Sequence, residues 1–309
     1  MNITNSFDAR SLLCIPADAE RFFVKAADRG ADLIVLDLED GVAPAVKARA
    51  RAALLALVEA LHGKGALVYV RVNNEPALLS QDVQAAVYSG ADGIVMPKVE
   101  APEELAQLDA DMKIHECAAG REPSSMRLIA LIETPQGVNR AADIARASPR
   151  LVSMGLGAED FSAAMEIAPT VEALRYPTQA VAIAAVAAGL HPIGLPGPVG
   201  DFSDLAAYRV VAEQALTIGN RGAICIHPAQ VGVLNDVFGG SEAQVAAAER
   251  VVAAFDAALA MGKGAIALEG RMIDAPIANR ARLLLARSQS RTKQSAASAS
   301  DIALPVAAV

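Results

Sequence analysis

Eight short apolar runs recur along the chain: Leu12–Ile15, Leu33–Leu36, Leu67–Val70, Gly93–Met96, Leu128–Ile132, Leu151–Met154, Pro192–Leu195 and Ala223–Ile226. Each is rich in Val, Ile and Leu and does not alternate with polar residues, the pattern of strands buried on both faces of a parallel sheet. Between them Ala, Leu and Val fall at helical spacing, as in Ala48–Leu61, Val171–Ala188 and Leu205–Ile218. Gly30-Ala31-Asp32 before the second run is echoed by Gly90-Ala91-Asp92 before the fourth, each Gly placed to end the preceding helix. Eight such repeats predict an α/β fold, a (β/α)8 TIM barrel. An open doubly wound sheet is the alternative, but its phosphate loop is missing: Cys14-Ile15-Pro16-Ala17-Asp18 follows the first run. Gly155-Leu156-Gly157 has some likeness to that loop, yet Glu159 and Asp160 come next and would repel a pyrophosphate.

The barrel is expected over residues 1–238. A C-terminal helical extension over 239–287 follows, made of Ser241–Met261 and a shorter segment, Gly270–Arg287; Ser241 and Gln244 fit a capping box. The Ser/Ala-rich stretch 288–309 reads as a disordered tail. The formal charge of −8, aromatics at 4 % and the lack of Trp argue against a nucleic-acid surface, which needs basic residues against phosphate and rings against bases. The N-terminus lacks the pattern of a secretion signal, and the longest apolar stretch, Ala180–Leu190, is too short to span a bilayer. Cys14, Cys117 and Cys225 form no CxxC pair, which suits a reducing compartment. A cytoplasmic protein with no membrane and no nucleic-acid partner is the expectation.

Charged residues gather just after the apolar runs. Asp37, Glu39 and Asp40 follow the second, Arg71 and Asn73 the third, Lys98 the fourth, Glu133 the fifth, Glu159 and Asp160 the sixth and His227 the eighth. In a parallel barrel all these ends open on one face, the face that carries active sites in this fold. Glu133 and Asp160 are the candidate metal ligands. They have no His or Cys companions at zinc spacing, so Mg2+ or Mn2+, completed by water and substrate oxygens, fits better. Each would otherwise cap a helix or pair with Arg. Arg71 would be a fixed positive clamp on a carboxylate or oxyanion, or else an ion-pair partner of Asp37 or Glu39. Asp37, Glu39 and Asp40 support Arg71 in one reading and cap helices in the other. Lys98 suits a salt bridge in the barrel mouth better than a Schiff base, because acidic neighbours would keep it protonated. His227 reads as a hydrogen-bonded structural residue.

At these residues the chain resembles the citrate lyase β-subunit-like branch of the HpcH/HpaI aldolase superfamily, a group that includes malyl-CoA and citramalyl-CoA lyases. The segments that carry the resemblance are Arg10–Pro16, Leu36–Pro44, Val70–Asn73, Met96–Glu100, Leu131–Thr134, Gly157–Phe161, Ile226–Val231 and Gly270–Pro276. They lie in order over about residues 10–285. The resemblance implies a barrel that assembles as a homotrimer or hexamer, with Glu133 and Asp160 on Mg2+ and Arg71 steadying an enolate oxygen. It implies that Asp274 reaches a neighbouring subunit's site as acid/base, and that Arg10 and Lys25 hold coenzyme A. Where relatives commonly carry an arginine after the first strand this chain has Ala19, with Arg21 two residues on as the substitute cation. Asp40 stands where the free-acid aldolase branch has His.

The activity so implied is a Mg2+-dependent carbon–carbon lyase that cleaves a β-hydroxyacyl-CoA to an acyl-CoA and a 2-oxo acid. The alternatives are a CoA-independent hydroxy-acid lyase, a thioesterase on the same scaffold, and a citrate lyase subunit that needs an acyl-carrier partner.

Overall fold

The computed structural model describes residues 7–19, 26–200 and 202–300, with residues 287 and 289–300 described in backbone only. The chain divides into two compact units, Met1–Phe238 and Gly239–Val309.

In the first unit the eight apolar runs form the strands β1 (Ser11–Pro16), β2 (Leu33–Asp37), β3 (Val68–Arg71), β4 (Gly93–Met96), β5 (Arg127–Ile132), β6 (Leu151–Leu156), β7 (His191–Gly194) and β8 (Ala223–Cys225). Neighbours pair in parallel in chain order, and β1 pairs with both β2 and β8. Closure comes from a parallel bridge between Ile193 and Gly222, where Gly194 donates its N–H to the Gly222 carbonyl at 2.9 Å. The result is the TIM barrel expected from the repeats.

Closure explains why the runs do not alternate. Leu12, Cys14, Leu33, Val35, Tyr69, Val95, Ile129, Leu131, Val152 and Ile193 form one buried cluster. Their chain neighbours, such as Leu13, Ile34, Leu36, Val70, Ile94 and Ala130, belong to a second, larger cluster that includes residues of the surrounding helices. One set fills the barrel and the other packs the helices, so both faces of each strand exclude water.

The helices begin where the chain leaves the carboxyl ends of the strands. Pro76, Pro102, Pro135 and Pro228 each open a helix, a position where the missing N–H costs nothing. The polar residues between strand ends and helix starts are therefore concentrated on one face.

In the second unit the helix Glu242–Ala260 starts at a complete capping box between Ser241 and Gln244. Within 270–287 the helix begins only at Ala275. An antiparallel hairpin, β9 (Ala265–Leu268) and β10 (Arg271–Asp274), precedes the helix Ala275–Ser300. Glu269 and Gly270 turn the hairpin with φ of 49° and 75°, the left-handed pair that a two-residue hairpin turn requires. Phe255, Ile273 and Ala278 form the core of this unit. Its last helix continues through Ser300, past the point at 288 where a disordered tail is expected; residues 301–309 lie outside the described residues.

Candidate active site

Strand β3 delivers Arg71 to the carboxyl-end face beside the end of β2. Its Nε and Nη2 each donate to a different oxygen of Asp37 at 2.7 Å, and its Nη1 lies 2.9 Å from Glu39. Asp37 also accepts the backbone N–H groups of Glu39 and Gly41, both at 2.9 Å. One buried carboxylate thus sets the guanidinium plane and shapes the turn that carries Glu39 and Asp40. The ion-pair reading of Arg71 holds, and the paired guanidinium still lines the cavity described below.

Lys98 follows β4 with φ of 53°, an unusual backbone state for a residue with a Cβ. In that state its N–H donates to Glu133 Oε2 at 2.8 Å. Its ammonium meets Glu39 at 2.7 Å, Asp40 at 3.2 Å and Asp160 at 3.7 Å. Burial opposes the lysine charge, but Glu39, Asp160 and Asp40 together hold it above the ordinary lysine range. A Schiff base, which needs the neutral amine, does not fit this setting.

Glu133, at the end of β5, is only 3 % exposed. Gly157, just after β6, makes room for it: a Cβ at Gly157 would lie 2.3 Å from Glu133 Oε1. Burial pushes the Glu133 carboxyl up to about 7, helped by the charges of Asp160 and Glu39, while the Lys98 N–H and Arg71 pull the other way. Among the described residues no Lys or Arg side chain forms an ion pair with Glu133. Asp160, in the first turn of the helix Ala158–Ala164, lines the same space as Glu133.

Glu133 and Asp160 line the same cavity as Arg71. Leu131, Leu156, Ile193, Leu195, Val199, Ile224 and Ile226 complete its walls. A divalent metal fits this donor set. Two hard oxygen donors face one space, and one of them is a buried carboxylate without a counter-cation that is crowded by a second carboxylate. Among the described residues no group of three His, Cys, Asp or Glu forms a metal-holding cluster. Two carboxylates with several waters is the coordination Mg2+ prefers.

The remaining candidates have other surroundings or fall outside the described residues. Arg10 precedes β1 and is at the opposite, amino end of the barrel. It forms a fork on Asp32, with Nε and Nη2 at 2.7 and 2.6 Å from its two oxygens. The structure therefore makes Arg10 an ion-pair partner within the barrel base and does not bring it to the site. Arg21 and Lys25 lie outside the described residues. Asp274 ends β10 in the second unit, where it accepts the N–H of Ile277 at 3.3 Å as a helix cap. His227 accepts the N–H of Ala229 and stacks on Phe202 with ring centroids 4.4 Å apart, in keeping with the structural reading.

Two contributions had no signal in the sequence. One is the Lys98 backbone N–H on Glu133. The other is Lys47, whose ammonium joins the Leu38 carbonyl, the Glu39 carbonyl and Asn73 Oδ1 at 2.7–2.8 Å and so pins the turn beside Arg71.

A closed parallel barrel with carboxylates and an arginine gathered at its carboxyl-end rim is the arrangement of a TIM-barrel enzyme. Residues 10–228 match the family HpcH/HpaI aldolase/citrate lyase, and the chain belongs to that family. It is similar to L-malyl-CoA/beta-methylmalyl-CoA lyase of Cereibacter sphaeroides, at 34 % identity covering 89 % of this chain and 92 % of the relative. It is also similar to citrate lyase subunit beta of Escherichia coli, at 32 % identity covering 91 % and 93 %. Among solved structures, protein CitE of Mycobacterium tuberculosis in complex with magnesium, acetoacetate and coenzyme A superposes with a TM-score of 0.72 at 30 % identity, covering 91 % of this chain and 98 % of that one. No helix among the described residues is long and apolar enough to cross a membrane.

Proposed function

We propose that this chain is a Mg2+-dependent carbon–carbon lyase that cleaves a β-hydroxyacyl-CoA to an acyl-CoA and a 2-oxo acid. The observation that carries the reading is the convergence of Glu133, Asp160 and Arg71 on one cavity, in a chain whose relatives include a malyl-CoA lyase and whose structural neighbours include a magnesium and coenzyme A complex.

Glu133 and Asp160 would hold the metal, which when bound polarises the carbonyl of the 2-oxo acid as a Lewis acid. Arg71, held flat by Asp37 and Glu39, faces the space where negative charge develops and steadies the enolate of the departing acyl-CoA. In cleavage the β-hydroxyl loses its proton, the carbon–carbon bond breaks, and its electron pair becomes that enolate, which takes a proton at carbon. Asp274 from a neighbouring subunit is the group assigned to this proton transfer, within a homotrimer or hexamer. Lys98 holds Glu133 through its N–H and balances Glu39, Asp40 and Asp160. Arg21 and Lys25 are left as the cations for the coenzyme A phosphates. The free thiols of Cys14, Cys117 and Cys225 suit work in the cytoplasm.

Similarity to a citrate lyase β subunit supports a second reading, a subunit that receives its substrate from an acyl-carrier partner. Incubating the purified chain and Mg2+ with malyl-CoA, citramalyl-CoA and citryl-CoA, and separating the products by chromatography, decides between them. An acyl-CoA plus a 2-oxo acid supports the lyase. Turnover only after a carrier protein is added supports the subunit. Free coenzyme A without a 2-oxo acid would make the chain a thioesterase and overturn both.

A further inference from the structure

Behind the turn that carries Glu39 lies a run of buried polar groups that the chemistry of the cavity does not use. Lys47 and Arg51 stand one turn apart on the helix Lys47–His62. At that spacing two like charges weaken a helix unless acceptors lie beside them. The acceptors come from the loop after β3 and from the helix Pro76–Tyr88. Asp82, in that helix, is 1 % exposed. One of its oxygens takes the Arg51 Nε–H at 2.7 Å. The other takes the backbone N–H and the side-chain amide of Asn73, at 2.9 and 2.6 Å. Those bonds fix which way the Asn73 amide points, so its Oδ1 must face a donor. Lys47 supplies that donor at 2.7 Å.

The Lys47 ammonium makes two further bonds, to the carbonyls of Leu38 and Glu39 at 2.8 and 2.7 Å. The Leu38 carbonyl also accepts the Asn73 amide at 2.9 Å, and the Glu39 carbonyl accepts the Val42 N–H at 3.1 Å. On the other side of the turn, Leu38 donates its N–H to the Arg71 carbonyl at 2.9 Å, while the N–H groups of Glu39 and Gly41 end on Asp37. The turn is thus bonded from both sides, and the Glu39 carboxylate is directed to Arg71 Nη1. Removing the ammonium takes one donor from each of two carbonyls on buried residues and one from Asn73. A buried polar group that loses a partner costs free energy until the chain shifts to restore one.

We propose that Lys47 and Asp82 are positioning residues for Arg71. Neither lines the cavity that Arg71 shares with Glu133 and Asp160. Both act through Asn73 and the turn, and together they tie the aim of the guanidinium to the packing of two outer helices. The inference rests on the lyase reading above, in which Arg71 steadies an enolate, and adds the groups that hold the arginine still. A fixed cation stabilises developing charge best when it has no need to reorganise as the charge appears.

The test uses the purified full-length chain with Mg2+ and whichever of malyl-CoA, citramalyl-CoA and citryl-CoA the parent cleaves fastest. Lys47→Met keeps the aliphatic stem and removes the ammonium; Asp82→Asn, which is isosteric, is the second variant. Each should keep the parental circular dichroism spectrum and lower kcat by about tenfold to a hundredfold, the cost of a small misplacement transmitted from outside the chemistry. KM should stay within about threefold of the parent, because the loss falls on the transition state. The decisive comparison places each change in the Arg71→Lys background. A group that acts through the guanidinium has nothing left to position there, so kcat should fall by less than about twofold further. An equal fall in both backgrounds makes the group a general support of the fold and overturns the inference. Unchanged kcat in both single variants, or loss of the parental spectrum in both, overturns it as well. If the parent cleaves none of the three thioesters, the lyase reading falls, and crystal structures of the parent and Lys47→Met decide the inference alone. A guanidinium still forked on Asp37 and Glu39 in the variant overturns it; one turned away from them supports it.

Discussion

Lys98 donates its backbone N–H to Glu133 at 2.8 Å while its own ammonium is drawn 2.7 Å from Glu39. One residue in a left-handed backbone state thereby orients the buried carboxylate and spans the acidic side of the site.

The first prediction concerns that carboxylate. Glu133→Gln keeps an acceptor for the Lys98 N–H but removes the charge, and Asp160→Asn removes the charge of the second carboxylate. Each should weaken Mg2+ binding in calorimetry by at least about tenfold, with an unchanged circular dichroism spectrum. The metal-free protein adds a sign that can be checked. Glu133 is raised to about 7 from an ordinary 4.5, so the folded state holds a proton that the unfolded state has released between those values. Stability therefore falls as pH rises from 4.5 to 7 and stays low above it. Metal-free Glu133→Gln should melt several degrees higher than the parent at pH 8 and no higher at pH 4. An unchanged Mg2+ affinity would remove the residue from the site.

For Arg71 the expectation is kinetic. Lysine cannot present two parallel N–H donors to Asp37 and a third group to Glu39. Arg71→Lys should lower kcat by about a hundredfold or more with the melting temperature close to the parent's, the scale seen when a positioned oxyanion donor is lost. Near-normal turnover would reassign Arg71 to structure.

Away from the site, Arg150 is a fully buried cation that lies 2.7–2.9 Å from both oxygens of Glu116 and also bonds Asp109. Burial alone would raise the Glu116 carboxyl. The Arg150 fork and the N–H groups of Met126 and Ser124 overcome it and hold the group down at about 2. The stabilisation is complete above pH 4.5 and is lost as pH falls toward 2. Arg150→Met should destabilise the protein by about 3–5 kcal/mol in denaturant unfolding at neutral pH, because Glu116 is left buried and unpaired. The deficit relative to the parent should shrink at pH 3.

Asp274 tests the sharing of sites. Asp274→Ala and Arg71→Ala should each be inactive alone. Mixed oligomers formed from the two should recover part of the parental kcat, because some sites then draw an intact Arg71 from one chain and an intact Asp274 from another. Mixed oligomers confirmed by native mass spectrometry that recover nothing would refute the sharing.

The barrel was legible because its strands are buried on both faces, so each appears as an unbroken apolar run whose ends match the observed strands to within a residue or two. The rim was legible for the same reason: in a parallel barrel, charge placed after each run must collect on one face. Arg10 was misplaced because the resemblance speaks of residue type, and its position before β1 already puts it at the other end. The hairpin at 265–274 escaped notice because Ala265–Leu268 is short and only half buried, too brief for a period to show. The N–H of Lys98 and the staple made by Lys47 are backbone and loop geometry, which no spacing of side chains encodes.

The glycine at 157 has a bearing on any attempt to redesign this protein. A single methyl there would strike the carboxylate at the centre of the rim and displace it, so no library that varies position 157 can be read for altered selectivity.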